Sequence, residues 1–87
     1  MSQLAHAFRP RKLTLFLNDS QQDSRTALEL VREYYPAVEI VKVDETDRRV
    51  VPRLYTPLSA FEGLHDIRAF LKEEKRNPIV REYLDEQ

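Results

Sequence analysis

Few side chains in this chain are equipped for chemistry. It has no cysteine, so there is no thiolate nucleophile, no disulfide and no thiolate metal site. His6 and His65 are its two histidines, and neither belongs to a His-x-x-His pair or another ligand cluster with metal-binding spacing. Asp44, Glu45 and Asp47 could offer oxygens to Mg²⁺ or Ca²⁺, but the same spacing suits a solvated acidic loop. Ser20, Ser24, His65 and Asp66 are the residue types of a nucleophilic triad, which geometry alone could establish. The two serines also sit where a helix wants a cap. Asp66 falls in a first helical turn, where a carboxylate suits the dipole. With a single glycine, the chain has no phosphate-cradling glycine loop.

The elements that must position these residues follow from the hydrophobic pattern. Lys12–Leu17 reads as a strand, nearly continuous in apolar character, ending at Asn18-Asp19-Ser20. Ala27, Leu28, Val31, Tyr34 and Tyr35, with Leu30, form the apolar stripe of a helix that Pro36 stops. Asp19, Ser20 and Asp23 are its candidate N-caps. Tyr34 and Tyr35, being adjacent, are not expected to face inward together, which leaves one for a surface patch or for partial exposure. Val38–Val43 is a second strand, so the first half is a βαβ unit with parallel strands.

After the polar connection Asp44–Arg48, Val50–Tyr55 reads as a strand with Pro52 at an edge, a bulge or its start. Thr56-Pro57-Leu58-Ser59 turns the chain and Ala60–Glu62 returns it, giving a hairpin. Gly63 then precedes a second helix, with Leu64, Ile67, Phe70 and Leu71 on its apolar face and Lys72–Arg76 as a polar tail. Asn77-Pro78 reads as an N-cap and first position of a short helix through Ile79, Val80, Tyr83 and Leu84. That helix either packs on the domain or docks on a second copy.

The 87 residues are 41% hydrophobic and 33% charged, with a net charge of −1. This is a globular composition, read as an N-terminal tail over 1–11 and one domain over 12–87. A chain this short buries only about 60% of its unfolded surface, so homodimerisation would be one way to gain stability. The basic groups Arg9, Arg11 and Lys12, and Arg48, Arg49 and Arg53, read as solvated surface. The near-neutral charge argues against a dedicated nucleic-acid binder. No apolar run reaches the roughly 18 residues of a membrane span, so the expectation is no membrane, and a cytoplasmic protein by elimination.

From Thr14 to Leu30 the chain reads TLFLNDSQQDSRTALEL, which resembles the first strand, active-site loop and first helix of glutaredoxins in the thioredoxin-like superfamily. The family's Cys-x-x-Cys segment falls on Gln21, Gln22, Asp23 and Ser24. Val51-Pro52 is similar to the family's Val-Pro step, where the proline is cis and the preceding backbone pairs with a substrate peptide or glutathione. Phe61-Glu62-Gly63-Leu64-His65-Asp66 resembles the stretch that opens the family's next helix, matching at Gly63 and Asp66. The resemblance covers roughly residues 12–74. It implies an α/β, thioredoxin-like β-α-β-β-β-α fold with a mixed sheet, here with an extra C-terminal helix. Gln21 stands at the nucleophile position, Ser24 at the second cysteine, and Asn18 at a lysine that helps bind glutathione. The run from Leu15 to Leu28 is also similar to the opening of the KaiB family, which has no cysteine pair and works by binding protein partners.

These readings lead to an expected function without catalysis or cofactor: binding a protein or peptide through the former active-site face. That face comprises Ser20, Gln21, Gln22, Asp23, Ser24, Val51, Pro52, Gly63, His65 and Asp66. The alternatives are a residual enzyme in which glutathione supplies the thiol, and a structural homodimer.

Overall fold

The computed structural model describes residues 12–47 and 49–85; the expected N-terminal tail lies outside them. The elements are β1 (Thr14–Leu17), α1 (Gln22–Tyr34), β2 (Glu39–Lys42), β3 (Arg53–Tyr55), β4 (Ala60–Glu62), α2 (Leu64–Arg76) and α3 (Ile79–Asp85). This is the expected order, in an α/β fold. The four strands form one mixed sheet in the order β2-β1-β3-β4. β1 runs parallel to β2 and antiparallel to β3, and β3–β4 is an antiparallel hairpin.

Successive strand residues point to opposite faces. On one face Leu13, Leu15 and Leu17 of the β1 segment join Leu54 of β3 in the core. Register aligns Ile40 with Leu15, Leu15 with Leu54, and Leu54 with Phe61. Ala27 and Val31 of α1 and Ile67, Phe70 and Leu71 of α2 complete this core, and the Phe61 and Phe70 rings stack at 4.5 Å. Both long helices therefore lie on the same side of the sheet. Each fully buried Leu or Ile contributes roughly 1.5–3 kcal/mol. Thr14, Phe16, Arg53 and Tyr55 lie on the other face, where Phe16 and Tyr55 meet edge to face at 5.4 Å.

Three local expectations are corrected. None of Asp19, Ser20 or Asp23 caps α1: Gln21 is the N-cap, without a side-chain bond. Tyr34 and Tyr35 both turn toward the end of α2. The Tyr35 hydroxyl donates to Glu74 Oε2 at 2.7 Å, and that of Tyr34 to the Glu74 carbonyl at 3.1 Å. Glu74, assigned to a polar tail, is buried and also accepts the Arg81 N–H at 2.8 Å. The Arg81 guanidinium lies 4.6 and 4.8 Å from the two tyrosine ring centres and bonds the Tyr34 carbonyl. Tyr35 is buried while Tyr34 stays partly exposed, as expected for an adjacent pair; the apolar ring and polar tip of tyrosine suit both positions. Finally, Asn77 closes α2 instead of opening α3, its N–H donating to the Glu73 carbonyl. α3 opens one residue later, where Glu82 N–H donates to the Pro78 carbonyl. Val80 seats this helix in the core, while Ile79 stays exposed.

Candidate binding site

The loop after β1 and the connection after β2 leave the sheet at the same end, because β1 and β2 are parallel. Asn18 ties the first loop together. Its N–H donates to Ser24 Oγ at 3.0 Å, and its side-chain Oδ1 accepts the Ser20 N–H and hydroxyl at 2.9 and 2.7 Å. Ser24 is fully buried by this bond, so it is a tie between loop and helix and is closed to a partner. The geometry gives neither serine a histidine: both spend their hydroxyls on Asn18 or its backbone.

In the second connection, Asp44 Oδ1 accepts the N–H and hydroxyl of Thr46. These bonds, the hydroxyl first, hold its carboxyl below the usual range. Asp47 accepts the side chain of Arg49 at 3.1 and 3.0 Å and its N–H at 2.9 Å. This pairing with Arg49 holds the Asp47 carboxyl down at about 2. Both carboxylates are satisfied by neighbours. Among the described residues no group of three or more His, Asp or Glu side chains is placed to hold a metal ion.

The two loops enclose a concavity of about 330 Å³. Asn18 and Gln21 line one side, Val50 and Val51 another, and Asp44, Glu45, Asp47 and Arg49 the rim. A neighbouring hollow of about 460 Å³ shares Asn18, Asp44 and Glu45 and is bordered by Ser20. Gln21 and Val51, thirty positions apart by number, thus share one surface. Val50 is 52% exposed beside them. Neither the N–H nor the C=O of Val51 has a backbone partner among the described residues. The Val51–Pro52 bond is cis, as the resemblance implies. Pro52 is itself buried, and its carbonyl accepts the Gly63 N–H at 2.7 Å. That bond brings the start of α2 to the same end of the hairpin.

Of the remaining expected residues, Gln22 and Asp23 open α1 and His65 and Asp66 open α2, all exposed; none lines the concavity. Sequence reasoning missed the rim and its support. Arg53, read as part of a solvated basic group, is a correction: its side chain is 0% exposed. Its place inside the expected strand Val50–Tyr55 was the available signal; register puts it opposite Phe16. Arg49 of that group is exposed as expected, as is Lys12 of the other; Arg9, Arg11 and Arg48 lie outside the described residues.

Among the described residues the concavity offers amides, carboxylates, one guanidinium and backbone groups without a backbone partner, an arrangement suited to hydrogen bonding. Comparison with protein-family models, with curated proteins and with solved structures finds no match to this chain. Among the described residues no helix is long and apolar enough to cross a membrane.

Proposed function

We propose that the chain is a thioredoxin-like module that has lost thiol chemistry and acts by binding an extended segment of a protein or peptide. The strand order β2-β1-β3-β4, with β1 parallel to β2 and antiparallel to β3, supports the fold assignment. The observation that carries the function is Val51. Its backbone donor and acceptor have no backbone partner among the described residues, and it shares a concavity with Gln21, the position aligned with the lost nucleophile. Unpaired main-chain groups beside an apolar side chain such as Val50 are what an added strand requires. Gln21 keeps the shape of the loop and supplies an amide where a thiolate would react. Among the described lining residues, three carboxylates against one guanidinium argue against glutathione, an anionic tripeptide, as the occupant.

Selection of a random-sequence peptide library displayed on phage, followed by titration of an enriched peptide into isotope-labelled protein, tests this reading. The expected amide shifts cluster at 18–21 and 44–51 and spread to Gly63. No enrichment over an unrelated domain, or shifts confined to α3 and the helix-covered side, would refute it.

A further inference from the structure

We infer that Arg53 is a positioning residue that holds the Val50–Val51 segment ready for a partner strand; this rests on the binding reading above. Arg53 lies on the sheet face away from α1 and α2, its guanidinium 4.5 Å from the centre of the Phe16 ring. A cation over an aromatic face is attracted to it, more strongly when desolvated. From there the side chain reaches back under the loop. Nη1 donates to the Val50 carbonyl at 3.3 Å, and Nη2 lies 3.6 Å from Asp47 Oδ2. Both of these partners line the concavity.

This arrangement is a poor way to gain stability. Nε and Nη2 are buried without a hydrogen-bond partner among the described residues, and burying a charge is rarely repaid by a single ion pair. An apolar residue of similar size would pack against Phe16 without that penalty. What the guanidinium adds is placement. It fixes the carbonyl just before Val51, while the Gly63 N–H fixes the Pro52 carbonyl just after it. Val51 is therefore held on both sides while its own N–H and C=O have no backbone partner among the described residues.

The test compares wild type with Arg53→Met, Arg53→Lys and Asp47→Ala, using backbone NMR relaxation of the free proteins and titration with the peptide enriched on wild type. Arg53→Met is expected to fold, to show increased mobility confined to residues 49–51, and to bind the peptide at least tenfold more weakly. Arg53→Lys, which keeps a donor near Val50, should recover part of that loss, and Asp47→Ala should weaken binding about threefold. If Arg53→Met does not fold, the relaxation and affinity of Asp47→Ala, altered in an exposed loop, decide the question. Wild-type mobility at 49–51 together with wild-type affinity in a folded Arg53→Met, or in Asp47→Ala if Met does not fold, overturns the inference. Failure of the wild-type protein to bind any peptide at this face is a different result: it removes the binding reading and leaves the mobility comparison to judge Arg53.

Discussion

Tyr35→Phe gives a quantitative handle on the knot that docks α3. The Tyr35 ring is 7% exposed, and its hydroxyl donates to Glu74 Oε2 at 2.7 Å. Removing a hydrogen bond to a charged acceptor costs roughly 1.5–3 kcal/mol. Glu74 keeps the Arg81 N–H, so about 2 kcal/mol is expected at neutral pH. That is a large share of the roughly 4–13 kcal/mol available to a domain of this length. The effect depends on pH in a defined direction. Burial first, and then the Glu74 carboxylate, push the Tyr35 phenol far above its ordinary value, which is about 10 in an unfolded chain.

The folded state therefore keeps a proton that the unfolded state releases. Stability is fully present below about pH 10 and falls by about 1.4 kcal/mol per pH unit above it. The phenylalanine variant has no such proton to lose. Its deficit of about 2 kcal/mol should shrink to near zero by about pH 11.5. Urea unfolding followed by far-ultraviolet circular dichroism, run in parallel at neutral pH and at intervals above pH 10, measures the difference. A deficit that stays constant across that range would refute the buried, carboxylate-bonded phenol.

Two further outcomes follow from local geometry. Gly63 has φ +90° and ψ 155°, a region open essentially to glycine alone, so Gly63→Ala should destabilise by about 1–3 kcal/mol in the same unfolding assay. No atom of the described residues lies within 4 Å of an added Cβ, so this loss comes from the backbone and not from a clash with them. Ser24→Ala leaves the buried Asn18 N–H without its acceptor and should cost about 1–3 kcal/mol. Faster hydrogen exchange at Asn18 would accompany that loss.

The course of the chain was legible where burial follows a regular period. Leu13, Leu15 and Leu17 alternate, and Ile67, Phe70 and Leu71 share one helical face; these patterns place β1 and α2 correctly. Turn chemistry placed the hairpin, with Thr56 and Ser59 bonded across it as the Thr-Pro-Leu-Ser sequence suggests. What escaped was polar burial. Glu74 and Arg53 carry charges that a pattern reading assigns to solvent, and side chains that bury them lie far along the chain: the Tyr35 hydroxyl bonded to Glu74, and the Phe16 ring under Arg53. The helix cap failed for a related reason. Ser24 was read as a satisfier of orphan helix N–H groups, but its hydroxyl accepts a loop N–H instead. The site was half legible: the loop at Gln21 and the Val51 step could be named from the sequence, whereas the rim at Asp44 to Arg49 required the two loops to be seen side by side.

The two outer strands bear on solubility. β2 is four residues long with Glu39 and Lys42 exposed at its ends, and β4 is three residues long and ends in exposed Glu62. Short edges bearing charge resist lengthening by a neighbouring chain, because an added strand would gain few ladder bonds and have to desolvate those charges. At both sides of the sheet, accidental fibre-like stacking is thus discouraged. On the binding reading proposed above, an incoming strand would be left the short stretch around Val51, where the main chain has no backbone partner among the described residues and the adjoining side chain, Val50, is apolar.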